Sequence, residues 1–288
     1  MKRMTTDGNR CMKKRIFVVA ALVMFSAESI PASRKIARYM DPSGAVHYGI
    51  VEGETLRELN GGFTEIADGA CATNKTVPLR SVKLLPPVEP TKIINFGWTY
   101  PAHAREVGGD ANRPEPLVFL KPPSCLIADR DTIRSPELSG QVEFEGELAI
   151  VIGKKARNLR PEEAMDCVLG YTVFNDVTAR DLTKKDIQFT RGKGFDTFGP
   201  LGPWIVTDVN PEQLRITTRL NGEVRQSGTI SEMHFSIPFL ISYISKVMTL
   251  VPGDVLATGT PSGSAPMKPG DVVQVEIDRI GTLTNFVR

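Results

Sequence analysis

The run Leu148-Ala149-Ile150-Val151-Ile152 is apolar at every position, the pattern of a strand buried on both faces. Glutamates at 143, 145 and 147 stand directly before it. Residues two apart on a strand point to the same side, so three carboxylates project from one edge of a core strand. Like charges that close repel, and something must make the arrangement tolerable. Further strands are predicted at TKIINFG (91–97), PLVFLKPP (116–123), YTVFND (171–176), PWIVT, LRITTRLNG, DVLATGT, DVVQVEI and TLTNFVR. Helical spacing is sparse. HFSIPFLISYISKVM (234–248) has apolar residues at i, i+3, i+4, and a Pro-started helix from Pro161 carries Met165, Val168 and Leu169. PAHAREVGG (101–109) is a polar segment in which any helix is short, and Pro-Gly-Asp makes a turn before a strand at 252–254 and again at 269–271. The fold class expected is mostly β with few helices (α+β).

The pattern also divides the chain. Residues 34–85 alternate short apolar runs with turn signals (Asp-Pro-Ser-Gly at 41–44, Glu-Gly at 52–53, Asn-Gly at 60–61) and read as a small N-terminal mostly-β domain. PLRSVKLLPPVEP (78–90) is a connection, and 90–288 is the main domain. Residues 1–33 differ: Lys13-Lys14-Arg15, ten apolar residues, then SAESIPAS. That order is a secretory signal peptide's, or the stretch is an extension upstream of the true start; either way it is excluded from the fold. Ten residues are too few to span a bilayer, which needs ~20. The expected location is cytoplasmic, or exported if 12–32 is a signal, with no membrane role.

Composition narrows the classes. With 41% apolar and 24% charged residues, the chain is an ordinary globular protein. Net charge is +2, and six Lys/Arg against Asp7 and Glu28 in 1–33 leave the remainder about −2. No basic face for nucleic acid is implied. Cys11, Cys71, Cys125 and Cys167 share no ligand spacing and read as reduced thiols.

The candidate chemistry is the acids. Glu145 and Glu147 lie at i, i+2, and Asp176 closes YTVFND about thirty residues later. Three carboxylates from strand ends suit a hard divalent cation, Mg²⁺ or Mn²⁺, whose charge would relieve their repulsion. Taken alone, Glu-x-Glu before a strand also describes acids facing water, and Glu143 fits that description. The company favours chemistry: DVTARDLTKKDIQFTRGKGFDTFGPLGPW (176–204) reads as a charged loop, with Lys193 between two glycines poised for an anionic ligand. ATGTPSG (257–263) could offer hydroxyls and amide N–H groups to a carboxylate.

YPAHARE, PLVFLKPPS, VEFEGELAIVIGKKARN, GYTVFNDVTARDL, RGKGFDTFGPLGPW, LNGEVRQSG, PGDVLATGTPSG and KPGDVVQVEIDRIGTLTN occur in that order. In this the chain resembles the fumarylacetoacetate hydrolase superfamily, in its bacterial branch of acylpyruvate hydrolases, oxaloacetate decarboxylases and hydroxyheptadienedioate isomerases, over about 34–288. The resemblance implies a distorted β-roll with a small N-terminal domain, usually a homodimer. It implies Glu145, Glu147 and Asp176 as metal ligands, Lys193 as the active-site lysine, and His103 and Glu106 as a dyad on a mobile lid. Tyr100, Arg180 and Thr260 match substrate-contacting positions. Two departures, Gly97-Trp98-Thr99-Tyr100 before the lid and Thr183 where a Gln is frequent, bear on the substrate. The implied activity is hydrolysis of a C–C bond in a β-dicarbonyl keto acid of the acylpyruvate or fumarylpyruvate type. Glu106 would orient His103 to activate water, and the leaving group would depart as a metal-stabilised enolate. The same site could serve decarboxylation of oxaloacetate or isomerisation of 2-hydroxyhepta-2,4-dienedioate, or only bind a keto acid without turning it over.

Overall fold

A computed structural model describes residues 33–288; the leader and Cys11 lie outside the described residues. The chain begins with β1 (Lys35–Met40), β2 (Val46–Glu52), β3 (Thr55–Leu59), a short α1 (Phe63–Ala67), β4 (Ala72–Pro78) and β5 (Lys83–Leu85). Next come β6 (Ile93–Gly97), α2 (Pro101–Glu106), β7 (Leu117–Lys121), β8 (Leu126–Ile127), β9 (Thr132–Ile133), β10 (Val142–Glu143) and β11 (Gly146–Ile152). Then follow β12 (Val168–Asn175), β13 (Thr178–Ala179), α3 (Arg180–Lys185), α4 (Thr190–Lys193) and β14 (Gly199–Val206). The C-terminal third holds β15 (Arg215–Leu220), β16 (Glu223–Thr229), α5 (Ile237–Val247), β17 (Val255–Ala257), β18 (Pro266–Met267), β19 (Val272–Ile277) and β20 (Gly281–Val287). The protein is mostly β.

β11 is the spine. It pairs antiparallel with β12 on one side and β17 on the other, and every residue from Gly146 to Ile152 is buried. Its alternate side chains feed two cores. Leu148, Ile150 and Ile152 meet α5 and the β15–β19–β20 sheet, whereas Ala149 and Val151 face Phe144, Phe174, Phe198 and Val255. A twelve-stranded sheet runs β4-β3-β2-β1-β14-β12-β11-β17-β6-β7, with β5 beside β1 and β8 beside β14 off this path, so the strands of 34–85 extend the sheet that carries β11, joined through β1 and β14. A second sheet (β16-β15-β19-β20-β9) packs behind it, and β10, β13 and β18 form a small third one beside the start of β11.

α5 forms because Ile237, Leu240, Ile241 and Ile244 fall on one buried face and the Ser236 hydroxyl caps the start. Two expectations are corrected. Pro161–Cys167 makes 3₁₀ turns, and Val168 and Leu169 belong to β12; Val168 pairs with Ile152, so ladder hydrogen bonds override their helical spacing, and Met165 is exposed. The 176–204 stretch is not a continuous loop: it holds β13, α3 and α4, and Lys193 is the buried last residue of α4.

Candidate metal centre

Antiparallel register places Gly146 opposite Asn175, so the start of β11 lies beside the end of β12. The Asp176 N–H donates to the Glu145 carbonyl at 2.8 Å, and the Asn175 side-chain oxygen accepts from the Glu145 N–H at 3.0 Å. One carboxylate oxygen each from Glu145, Glu147 and Asp176 therefore lie within 4.8 Å of one another, all three side chains buried.

Three cations surround two of these acids. Lys193 Nζ donates to Glu145 at 2.7 Å and to Asp176 at 2.5 Å. Arg180 forks between Glu145 and Glu143, its Nε donating to Glu143 at 2.7 Å. Lys121 Nζ donates to the other oxygen of Asp176 at 2.6 Å and to the Val177 carbonyl at 3.0 Å. Burial alone would raise the Glu145 carboxyl, but Lys193, Arg180 and His103 hold it well below the usual range. Burial would lower Lys193, yet Asp176 and Glu145 keep its ammonium favoured.

Glu147 is different. It accepts the Gly259 N–H at 2.9 Å and, among the described residues, pairs with no Lys, Arg or His. Burial and the neighbouring charges of Asp176 and Glu145 push its carboxyl well above the ordinary value. A buried carboxylate without a counter-charge, beside two others, is a site one cation short. The donors are all hard oxygens, which fit a divalent cation of the Mg²⁺ or Mn²⁺ kind.

His103 and Glu106 sit on α2 above the acids. His103 Nδ1 is 3.0 Å from Glu106, and its Nε2 is 3.8 Å from Glu145. The hydrogen bond from His103, helped by the Gly263 N–H, outweighs partial burial and holds Glu106 below its usual value. Glu106 is thus an acceptor, so Nδ1 carries a proton and Nε2 is the ring nitrogen turned toward the acids. The Gly263 N–H donates to both Glu106 oxygens, at 2.9 and 3.1 Å, and clasps α2 against the turn after β17. Beneath it lies a cavity of about 40 Å³, walled by the acids, His103, Arg180, Lys193, Thr183, Thr260 and the rings of Phe96, Trp98, Phe119 and Phe189.

The sequence-predicted residues Glu145, Glu147, Asp176, Lys193, His103, Glu106, Arg180 and Thr260 thus come together, with three differences. Tyr100 is turned into the core, 2% exposed, away from the cavity wall; Trp98, in a left-handed backbone conformation, takes the wall position. Glu143 does not face water: it is buried and paired with Arg180, because β10 folds into the small sheet with β13. The Thr260 hydroxyl is committed to the protein, donating to the Gly146 carbonyl at 2.8 Å and accepting from Gln226 at 2.8 Å. Lys121, Asn175 and Gln226 were missed. The signal for Lys121 was a lysine closing an apolar strand just before two prolines, where a solvent-facing head is hard to arrange.

The chain is similar to known proteins along most of its length. The family described as fumarylacetoacetate (FAA) hydrolase C-terminal matches residues 92–288, and a second, described as Rv2993c-like, N-terminal, matches 34–87. Protein Rv2993c of Mycobacterium tuberculosis is 42% identical over 262 residues, covering 88% of this chain and 97% of the relative. Oxaloacetate tautomerase YisK of Bacillus subtilis is 47% identical over 223 residues, covering 73% and 74%. The solved structure of 2-hydroxyhepta-2,4-diene-1,7-dioate isomerase from Mycobacterium marinum superposes with a TM-score of 0.81 at 40% identity, covering 88% of this chain and 98% of that one.

Proposed function

The chain belongs to the fumarylacetoacetate hydrolase family, and on that premise we propose that it is a divalent-cation-dependent enzyme moving a proton on a 2-oxo acid. The reaction it fits best is enol–keto interconversion of a small dicarboxylate such as oxaloacetate. Glu145, Glu147 and Asp176 would hold Mg²⁺ or Mn²⁺. When bound, that cation supplies a Lewis acid that draws electron density from the 2-oxo group and fixes its orientation.

The observation that carries the reading is the pose of His103. Its Nε2 faces Glu145 at 3.8 Å while Glu106 accepts from Nδ1, so Glu106 orients the ring and Nε2 is the nitrogen placed to exchange a proton with substrate. His103 would take a proton from one substrate atom and return it to another, between C3 and the enol oxygen. No water or co-reactant is consumed. Lys193 and Arg180 place positive charge where negative charge builds up on the substrate. Phe119, Phe189 and Trp98 form the apolar wall that limits water, and the Glu106–Gly263 clasp closes α2 over the site. A cavity of about 40 Å³ does not admit such a substrate, so the clasp opens for entry.

Relatives named for oxaloacetate tautomerase and for a dienedioate isomerase support proton transfer as the main reaction. C–C bond hydrolysis of an acylpyruvate is the second reading. It is favoured by the cavity itself, large enough for water beside His103, where the same base would deprotonate that water. The test incubates purified protein and Mg²⁺ with oxaloacetate, acetylpyruvate and fumarylpyruvate under NMR. Accelerated exchange between the enol and keto signals of oxaloacetate is expected. Cleavage of an acylpyruvate into two acids, with no such acceleration, makes hydrolysis the activity. Release of CO₂ from oxaloacetate makes it a decarboxylase, and Mg²⁺-dependent binding without product makes it a binder.

A further inference from the structure

Gly146 lies between two of the acids, and its surroundings are as specific as theirs. Side chains alternate, so Glu145 and Glu147 share the site face and position 146 points to the opposite face. There a Cβ would collide with Thr218 Oγ1 of β15 and come within 2.9 Å of Val275 of β19. Glycine is thus required by the closeness of the second sheet, not by backbone conformation.

Backbone groups alternate as well. The carbonyl of Glu145 is used on the β12 side, by the Asp176 N–H. Those of Gly146 face the β17 side, but the β11–β17 ladder starts only at Ala149. Two side chains finish what β17 leaves open. Gln226 of β16, fully buried, accepts the Gly146 N–H on its Oε1 at 3.0 Å. Thr260 donates its hydroxyl to the Gly146 carbonyl. The Gln226 Nε2 donates to Thr260 Oγ1 at 2.8 Å and to the Pro261 carbonyl at 2.6 Å, tying the two caps together. The amide orientation is fixed by its partners: the Pro261 carbonyl can only accept and the Gly146 N–H can only donate.

We infer that Gln226 is a positioning residue for the acid cluster: it holds the Gly146 peptide groups so that Glu145 and Glu147 present their oxygens at cation-binding distances. This rests on the metal reading proposed above. A hard cation binds carboxylate oxygens at roughly 2.0–2.1 Å in a near-rigid geometry, so a small rotation of the 145–147 backbone is felt directly in affinity. Residues that orient ligands in this way typically change metal affinity by about 10- to 100-fold when lost. Gln226 lies eighty residues from Gly146 in sequence and on another sheet, so the contact couples the C-terminal sheet to the site.

The experiment measures Mn²⁺ dissociation constants by electron paramagnetic resonance without substrate, in wild type, Gln226→Met, Thr260→Val and Thr260→Ser. Thermal melting in chelator is recorded beside it. Gln226→Met is expected to weaken Mn²⁺ about 10- to 100-fold, Thr260→Val about 10-fold, and Thr260→Ser hardly at all. A merely structural role lowers the melting temperature in chelator and leaves the dissociation constant where it was. A folded Gln226→Met that binds Mn²⁺ as tightly as wild type overturns the inference alone. If that variant does not fold, equal binding by Thr260→Val and wild type overturns it. Wild type that binds no Mn²⁺ overturns the metal reading and this inference with it.

Discussion

Replacing Lys121 with Met is the sharpest probe of how charge is balanced around Asp176. The Lys121 ammonium is buried, 2.6 Å from one Asp176 oxygen and 3.0 Å from the Val177 carbonyl. Met keeps the length of the side chain and removes the charge. Removing one partner of a buried pair typically costs about 3–5 kcal/mol, because the other is left uncompensated. Asp176 keeps Lys193 on its second oxygen at 2.5 Å, so the lower end, about 3 kcal/mol, applies. At about 2–4 °C per kcal/mol for a domain of this size, the metal-free protein should melt about 6–12 °C lower. A bound divalent cation would replace part of the missing positive charge, so saturating Mg²⁺ should shrink the deficit by half or more. Calorimetry of wild type and Lys121→Met, each in EDTA and in Mg²⁺, reads both numbers. A loss under 2 °C in EDTA, or an equal loss with and without Mg²⁺, refutes the reasoning.

Three further expectations follow from the same geometry. Glu147 has its carboxyl raised in the folded protein, so between the ordinary carboxylate value of about 4.3 and that raised value the folded chain holds a proton the unfolded chain has lost. This contribution to metal-free stability is complete below the unfolded value and fades as pH rises. Mg²⁺ requires the ionised form, so its stabilising shift in melting temperature should grow with pH; a shift that stays flat from pH 5 to 8 counts against the assignment. Glu147→Ala should abolish Mg²⁺ binding in titration calorimetry together with turnover, and unchanged turnover at saturating Mg²⁺ retires the metal site. His103→Ala should lower kcat by about 100-fold or more while Mg²⁺ affinity moves less than about threefold, and equal loss of both means that His103 is not the base.

Much of the site was legible before any fold was known, because strand geometry is local. The i, i+2 spacing puts Glu145 and Glu147 on one side whatever they meet, and the apolar run after them requires burial. His103 and Glu106 likewise meet within one short helix, at i, i+3. Where the sequence misled, a distant partner decided. Val168 and Leu169 have helical spacing but pair with β11. Glu143 looks solvent-facing until Arg180, thirty-seven residues on, closes over it. Tyr100 is two residues from Trp98, yet the left-handed turn at Trp98 gives the cavity the indole and the core the phenol.

By itself the sequence determined most of the longer strands of the main domain, the mostly-β class and the presence of acids at strand ends, since periodicity and charge are written residue by residue. The tertiary structure decided which cation answers which acid. Lys121 and Lys193 reach Asp176, Arg180 bridges Glu143 and Glu145, and Glu147, among the described residues, is left with a backbone N–H and no cation. It also decided that Gln226 finishes the edge that β17 leaves open. Those pairings join residues up to eighty positions apart. Their energies depend on burial and on distances of a few ångströms, quantities that exist only once the sheets have packed.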